Sequence, residues 1–332
     1  MFVCAVDQGN RLTKYPEGSF ATGIFFYGNK KPATRNDVLG YNGNYFGLDA
    51  GKRIPYVEDK TEDDLNGQNR FLILTLIAIA KQLEAEDAYI EEATFDQPMK
   101  IVLAIGTPPG HIERLKSKYS KYFKNGKNTY AFTWNDKQYY IRIANVFVGS
   151  QGYAVMMAQL PEVEKVRNYP ELYIIDIGGY TTDYIHLIDS SVSESGNNSV
   201  PYGVNDMING IQSEVSRRHA FNITESAIEA ILLGKDTGLN DDIVDEVKNQ
   251  AEEYAINLIG KLNEKKLGVY GVPCIFMGGG SLLFHEQLVR SNKLNKHSVF
   301  VQDITANAKG YRNMALLALK DSMSAKAAKS QG

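Results

Sequence analysis

A chain of 332 residues with 43% hydrophobic and 23% charged side chains is long enough for two domains of ordinary size, each with its own core. The net charge of −3 gives no global attraction for a polyanion, so direct nucleic-acid binding is not expected and phosphate affinity must come from local geometry. Cys4 and Cys274 each sit in an apolar run and read as buried thiols of a reducing cytoplasm, not as a disulfide or metal pair. No membrane role is expected, because Met1 to Cys4 leads straight into polar DQGN and the longest apolar run, Phe71 to Ala80, is too short to span a bilayer.

In chain order the pattern predicts strands at Phe2–Val6, Leu12–Tyr15 and Gly23–Phe26, with a further pair around Tyr41–Phe46 and Lys52–Val57. The polar stretch Glu58–Asn69 reads as an exposed loop leading into an apolar helix that ends near Glu86. A buried strand at Ile101–Ile105 exits through Pro108 and Pro109 into a basic helix, and strands follow at Thr129–Trp134 and Lys137–Val148. A helix at Tyr153–Gln159 and the segment Pro161–Pro170 carry the chain into a second domain, with strands at Leu172–Ile175 and Thr182–Leu187 and an exposed loop at Ser190–Asn198. Helices are expected within Pro201–Ala220 and at Ile223–Leu233, Asp242–Asn263, Leu282–Arg290 and Gly310–Leu319. A strand at Val272–Met277 lies among them, and the tail after Met323 is expected to fray.

Three glycine-bearing turns each follow a predicted strand: DQGNRLTK (Asp7–Lys14), DIGGYTTD (Asp176–Asp183) and MGGGSLLF (Met277–Phe284). In the first two an aspartate leaves the strand. Gly9, and then Gly178 and Gly179, let successive amides converge on an anion, and hydroxyls follow at Thr13, Thr181 and Thr182. Gln8, Asn10 and Arg11 complete the first cradle, Tyr180 sits in the second, and Lys14 offers a mobile charge to a phosphate oxygen. A carboxylate about 4 Å from a phosphate charge is repelled by roughly 4 kcal/mol at an effective dielectric near 20. Asp7 and Asp176 therefore read as positioners of Mg²⁺, which takes one or two carboxylates and fills its other positions with water and phosphate. Gly278, Gly279 and Gly280 would strip side chains from a helix entrance so that a base or ribose lies against backbone. Each turn alone is equally an Asp-Gly hairpin or a tight turn; the repetition favours a clamp on a di- or triphosphate.

The three turns, in this order, resemble the phosphate 1, phosphate 2 and adenosine motifs of actin, the DnaK-type chaperones and the sugar kinases. With IFMGGGS and ITANAKGYRNMALLAL (Ile304–Leu319), they look most like the ParM/StbA group of plasmid-segregating bacterial actins, over most of the chain. Arg11 stands where many relatives have a small residue, and Tyr180 replaces the glycine common in MreB-type sequences. The resemblance implies an α/β, actin-like bilobed fold of two RNase H-like domains around a nucleotide cleft. Domain I would be 1–158 with the C-terminal helix 305–332, and domain II 159–304. It further implies ATP or GTP with Mg²⁺, a head-to-tail filament of the chain itself, and a DNA-bound ParR-type adaptor as partner. In Val146–Leu160, where such ATPases carry the hydrolytic residue, Gln151 matches best. Its amide would line up a water, and with no carboxylate in that turn hydrolysis is expected to be slow. Asp7, Gln151 and Asp176 are thus the expected catalytic set. The basic, tyrosine-rich stretch Lys116–Lys127 reads as a solvated face or filament contact in preference to a nucleic-acid patch.

The alternatives are a small-molecule kinase or phosphohydrolase of the same superfamily, with Asp183 as the candidate base, and an MreB-like cytoskeletal protein. A chaperone is expected less, because no substrate-binding domain follows the ATPase-like part.

Overall fold

The computed structural model describes residues 1–332 apart from positions 34, 53, 64, 66, 125–128, 194–197 and 330–332, and of 325–329 it describes the backbone alone. The chain forms two compact units, residues 1–158 with 305–332 and residues 159–304.

The first unit opens with β1 (Phe2–Gln8), buried along nearly its whole length. After β1 come β2 (Leu12–Tyr15), β3 (Gly18–Ala21), β4 (Ile24–Gly28), β5 (Val38–Tyr41) and β6 (Asn44–Leu48). Then follow α1 (Arg70–Ala85), β7 (Met99–Thr107), a single 3₁₀ turn, α2 (Ile112–Lys124), β8 (Tyr130–Trp134) and β9 (Lys137–Ser150). One sheet takes all nine strands in the order β3-β2-β1-β7-β9-β8-β5-β6-β4, with β1, β7 and β9 parallel.

Successive side chains of a strand face opposite sides, and both sides of this sheet are covered. Cys4, Val6, Leu103 and Ile105 point to the large core that contains α1, while Val3, Ala5, Val102 and Ala104 meet Ala154, Tyr311 and Ala315. Being buried nearly all round, α1 carries few polar groups, and those have defined partners: Gln82 Oε1 accepts from Ala5 N at 2.9 Å. α2 buries one stripe, Leu115, Tyr119 and Phe123, at helical spacing and leaves its lysines outside.

Four expectations change here. Tyr41–Phe46 is a hairpin and not a strand, because Asn42 and Gly43 take φ of 49° and 74° in a two-residue loop between β5 and β6, the conformation that Asn-Gly favours. β3 was not foreseen. Lys52–Val57 forms no strand among the described residues. Glu58–Asn69 is not an open loop: Asp59 and Lys60 are only 9% and 8% exposed. Asn69 ties this strap down, its Oδ1 capping α1 at Leu72 N (2.8 Å) while its Nδ2 donates to the carbonyls of Lys60 and Asp63 (2.8 Å each).

A 3₁₀ helix at Tyr153–Met157, where the sequence suggested a longer helix, leads to the second unit. That unit holds α3 (Pro161–Glu164), β10 (Glu171–Ile177), β11 (Thr182–Ile188), β12 (Ser191–Val192), β13 (Asn198–Val200) and α4 (Val204–His219). It continues with α5 (Glu225–Leu232), α6 (Asp241–Glu264), β14 (Cys274–Met277), α7 (Gly279–Leu283), α8 (His285–Arg290) and β15 (Val299–Phe300). Its sheet runs β12-β11-β10-β14-β15, with β13 also on β11. α4 and α6 share one core through Met207, Ile211, Val215, Val247, Ala251 and Leu258, and Arg218 pairs with Glu246 (3.2 Å) where the end of α4 meets the start of α6. Part of the expected loop Ser190–Asn198 is β12 and β13, and its positions 194–197 lie outside the described residues. The predicted helix Leu282–Arg290 starts earlier and breaks at Phe284 into α7 and α8.

The chain then returns to the first unit as α9 (Ala306–Lys329), longer at both ends than Gly310–Leu319 and helical beyond Met323. Positions 330–332 of the expected tail, and the part of Lys116–Lys127 beyond Lys124, lie outside the described residues. Both cysteines are free and buried, Cys4 in β1 and Cys274 in β14. No helix among the described residues is long and apolar enough to cross a membrane.

Asn69→Ala removes a helix cap and two strap anchors together and should lower stability by about 1–3 kcal/mol. Asn69→Asp keeps the cap acceptor and should lose less. Urea unfolding of the two variants checks the order.

Candidate functional site

In the first unit the registers Val6↔Ile105 and Thr107↔Ser150 bring the carboxyl ends of β1, β7 and β9 out on one edge, where open α/β sheets take ligands. Asp7 and Gln8 finish β1, Thr107 finishes β7, and Gln151 follows β9 with its N–H on Thr107 O at 2.9 Å. Asp7 is 3% exposed and faces Lys14 across the β1–β2 ladder, where Lys14 Nζ donates to its Oδ2 at 3.2 Å. Between them Gly9 N donates to Asp7 O (3.0 Å), and the carbonyl of Arg11 accepts from Thr22 N (3.2 Å). Asn10 Oδ1 accepts from Val57 N (3.0 Å) and from Lys60 Nζ (2.6 Å). Gln8 Nε2 donates to Thr75 Oγ1 (2.6 Å), but Gln8 Oε1, Thr13 Oγ1 and Thr107 Oγ1 are buried with no partner among the described residues. Buried polar atoms of this kind are uncommon and mark a place where water, ion or ligand is expected.

The second unit repeats the design. Asp176 is second from the end of β10, as Asp7 is of β1, and is also 3% exposed; its antiparallel neighbour in β11 is Asp183, as Lys14 is that of Asp7. Gly178 N closes the turn on Thr181 O (2.8 Å), and the carbonyls of Gly178 and Gly179 accept from Val204 N (3.0 Å) and Asn205 N (2.9 Å) at the start of α4. A Cβ on Gly203 would lie 2.6 Å from the Gly179 backbone, so α4 docks on the turn only through glycine. Tyr180 and Thr181 are partly exposed; Thr182 is buried and donates to Tyr202 O at 2.7 Å. Tyr254 donates to Gly203 O (2.5 Å), and its ring stacks between Tyr202 (4.1 Å) and Phe284 (4.9 Å).

The third turn joins the second. β14 lies parallel to β10 with Asp176 opposite Met277, so Gly278 comes next to the carboxylate. Gly278 has φ 85°, and a Cβ there would lie 2.3 Å from Asp176 Oδ1. Gly279 and Gly280 open α7, and Asn205 Oδ1 is buried without a partner among the described residues. The structure thus gathers Asp176, Gly178, Gly179, Tyr180, Thr181, Thr182, Gly278, Gly279 and Gly280 in one unit, and Asp7, Gln8, Gly9, Asn10, Arg11, Lys14 and Gln151 in the other.

Sequence reasoning missed three residues beside the first turn. Thr107 is recognisable only once β7 is placed beside β1. Asn307, whose Oδ1 accepts from Gly152 N (2.9 Å) and so anchors the Gln151 turn, lies in the ANAKGY phrase that carried the resemblance. Lys60 sits in the acidic run EDKTEDD, which reads as solvated; burial pushes its ammonium down to about 7, against the opposing pull of Asp7, Asp63 and Asp59. In the second unit burial, with the Asp176 charge adding, raises the Asp183 carboxyl to about 6. No cluster of three or more His, Cys, Asp or Glu able to hold a metal occurs among the described residues; the first turn offers Asp7 and the second Asp176 with Asp183 opposite, a donor set compatible with Mg²⁺ if ligand and water were to complete its shell.

The architecture is the actin-like fold. It is similar to an archaeal actin homologue solved in complex with ADP, at 19% identity and TM-score 0.72 over 95% of this chain and 99% of that one. It is similar too to the apo pSK41 ParM protein (16% identity, TM-score 0.68, covering 97% and 99%) and to a subunit of a 15-stranded ParM filament from Clostridium botulinum (15%, 0.69, covering 94% and 98%). Residues 174–290 match the family model described as archaeal actin homologue MreB-like, C-terminal. No curated protein matches the sequence.

The Asp183 carboxyl has a definite pH signature. Because its pKa is higher in the folded chain than unfolded, the fold binds more protons between about pH 4 and 6, and this group's contribution to stability falls as pH rises through that window. Asp183→Asn should therefore gain melting temperature relative to the parent between pH 4 and about 7, a trend visible in a pH series of thermal scans.

Proposed function

We propose that the protein is a nucleotide-dependent, filament-forming actin-like ATPase or GTPase. Its polyphosphate is held by the Asp7–Lys14 and Asp176–Thr182 turns and its nucleoside by Gly278–Gly280. The observation that carries this reading is the repetition: each unit puts an aspartate second from the end of a buried strand, follows the strand with a glycine turn, and has nearby buried polar atoms without partners among the described residues. The ADP complex of the archaeal homologue, which shares this fold, supports a nucleotide as ligand. On this reading residues 1–158 with 305–332 are actin-like domain I and 159–304 domain II.

Asp7 and Asp176 would hold Mg²⁺, with Gln8 Oε1 and Thr107 Oγ1 as acceptors for its water shell. When bound, the ion neutralises phosphate charge and orients the polyphosphate. Lys14 shares its charge between Asp7 and phosphate. Gln151, fixed through the Thr107 and Asn307 contacts, orients the attacking water, and the amide's weakness as a base makes turnover slow. A head-to-tail contact between copies is heterologous and grows an open filament unless its rotation closes a ring. Loss of the γ-phosphate removes contacts to the turns and weakens assembly, a coupling on the order of a few kcal/mol. The likeness to ParM structures supports plasmid DNA segregation through a ParR-type adaptor as the biological role. The kinase reading retains one observation, the raised Asp183 carboxyl, which suits a general base.

Light scattering and pelleting decide between the readings. Mg·ATP or Mg·GTP should give concentration-dependent polymer that persists with non-hydrolysable analogues. Turnover of an added sugar, acetate or pantothenate without scattering would establish the kinase instead. Asp176→Ala should abolish Mg²⁺-dependent hydrolysis. Gln151→Ala should slow phosphate release at least tenfold while polymer still forms. Unchanged release would remove Gln151 from the mechanism.

A further inference from the structure

Lys60 is an expensive residue to keep. The residue is 8% exposed, its Nζ lies 4.5 Å from the Phe71 ring centroid, and it is pinned by its own backbone: its N–H donates to the Tyr119 hydroxyl (3.2 Å) and its carbonyl accepts from Asn69 (2.8 Å). Flanking ion pairs fix the strap without the ammonium, Asp59 with Lys118 of α2 (2.6 Å) and Asp63 with Arg70 of α1 (3.4 Å). An unbranched apolar side chain would fill the same space without desolvating a charge. Yet the ammonium is aimed at the first turn, bonded to Asn10 Oδ1 and to the carbonyl of Val57. Those are two described acceptors for a group with three donors.

Building on the nucleotide reading of this turn, we propose that Lys60 is a second cation of the first phosphate turn, contacting the bound polyphosphate from the strap while it holds Asn10 in place. Lys14 then answers Asp7 on one side of the turn and Lys60 answers the phosphate charge on the other. The strap, joined to α1 by Asn69 and to α2 by Lys118, thereby registers whether the turn is filled.

A pH dependence follows. The charged and titratable groups around the ammonium are Asp7 from β1, Asp59 and Asp63 from the strap with their partners Lys118 and Arg70, and Tyr56, whose ring centroid lies 5.9 Å from Nζ; Tyr119 of α2 meets the backbone N–H of the same residue. With the ammonium pushed down to about 7, the free protein holds Lys60 largely neutral above that pH, and an arriving polyanion draws a proton onto it. Triphosphate affinity should therefore fall as pH rises from about 7 to 8.5.

Titration calorimetry with Mg·ATP and Mg·GTP, in buffers of differing ionisation heat, tests this on the full chain. The parent should take up a proton on binding near pH 8. Lys60→Met should melt higher than the parent, bind triphosphate roughly tenfold or more weakly, and lose the proton uptake, a combination that a purely structural lysine does not give. If Lys60→Met binds as the parent does, the Lys60 assignment falls and the nucleotide reading stands. If the parent binds neither triphosphate, both fall. If the variant does not fold, the parent alone decides: affinity flat between about pH 6.5 and 8.5 with no proton uptake overturns the assignment.

Discussion

Two carboxylates placed at the buried ends of strands set the terms for the rest of the molecule. A desolvated negative charge is tolerated only where cations, hydrogen bonds or metal compensate it. Asp7 and Asp176, each 3% exposed, stand at equivalent points of two sheets, each two residues before the first glycine of its turn. Around Asp7 the chain supplies Lys14 directly and Lys60 at a remove. Around Asp176 it supplies a second carboxylate in register, Asp183, whose proton affinity is raised chiefly by burial, with the Asp176 charge adding. The two units solve one electrostatic problem with opposite signs of neighbour.

The glycines show how tightly this is built. Gly278 and Gly203 are there because the Asp176 carboxylate in one case and the backbone of the second turn in the other occupy the space a side chain would need. The carbonyls of that turn are taken by the first amides of α4, and Tyr254 of α6 reaches back to the residue that begins α4. Movement in the turn is therefore shared with α4 and α6, the helices that make the core of the unit.

Much of this was readable in the sequence where local chemistry decides the outcome. Buried runs such as FVCAV and LYIID made strands, Asp followed by glycine made their exits, and the apolar spacing of Val247, Ala251, Tyr254 and Leu258 made α6. What was not readable depended on partners distant in sequence. Lys60 looks solvated until Asn10, Tyr119 and Asn69 close around it. Thr107 becomes part of the site only through the pairing of β7 with β1 and β9. The hairpin at Asn42 and Gly43 is a different kind of miss, since its Asn-Gly turn signal is local and stands in the sequence.

Each unit also contains a single thiol, Cys4 in β1 and Cys274 in β14, each on a strand paired on both sides within its sheet. Burial pushes Cys274 up to about 12 and Cys4 upward as well, so neither is a nucleophile while its unit stays shut. A disulfide reagent can modify them only as fast as the surrounding sheet comes apart. The chain thus carries two internal clocks, one per unit, and the pace of each labelling reaction reports how readily its own half of the protein opens.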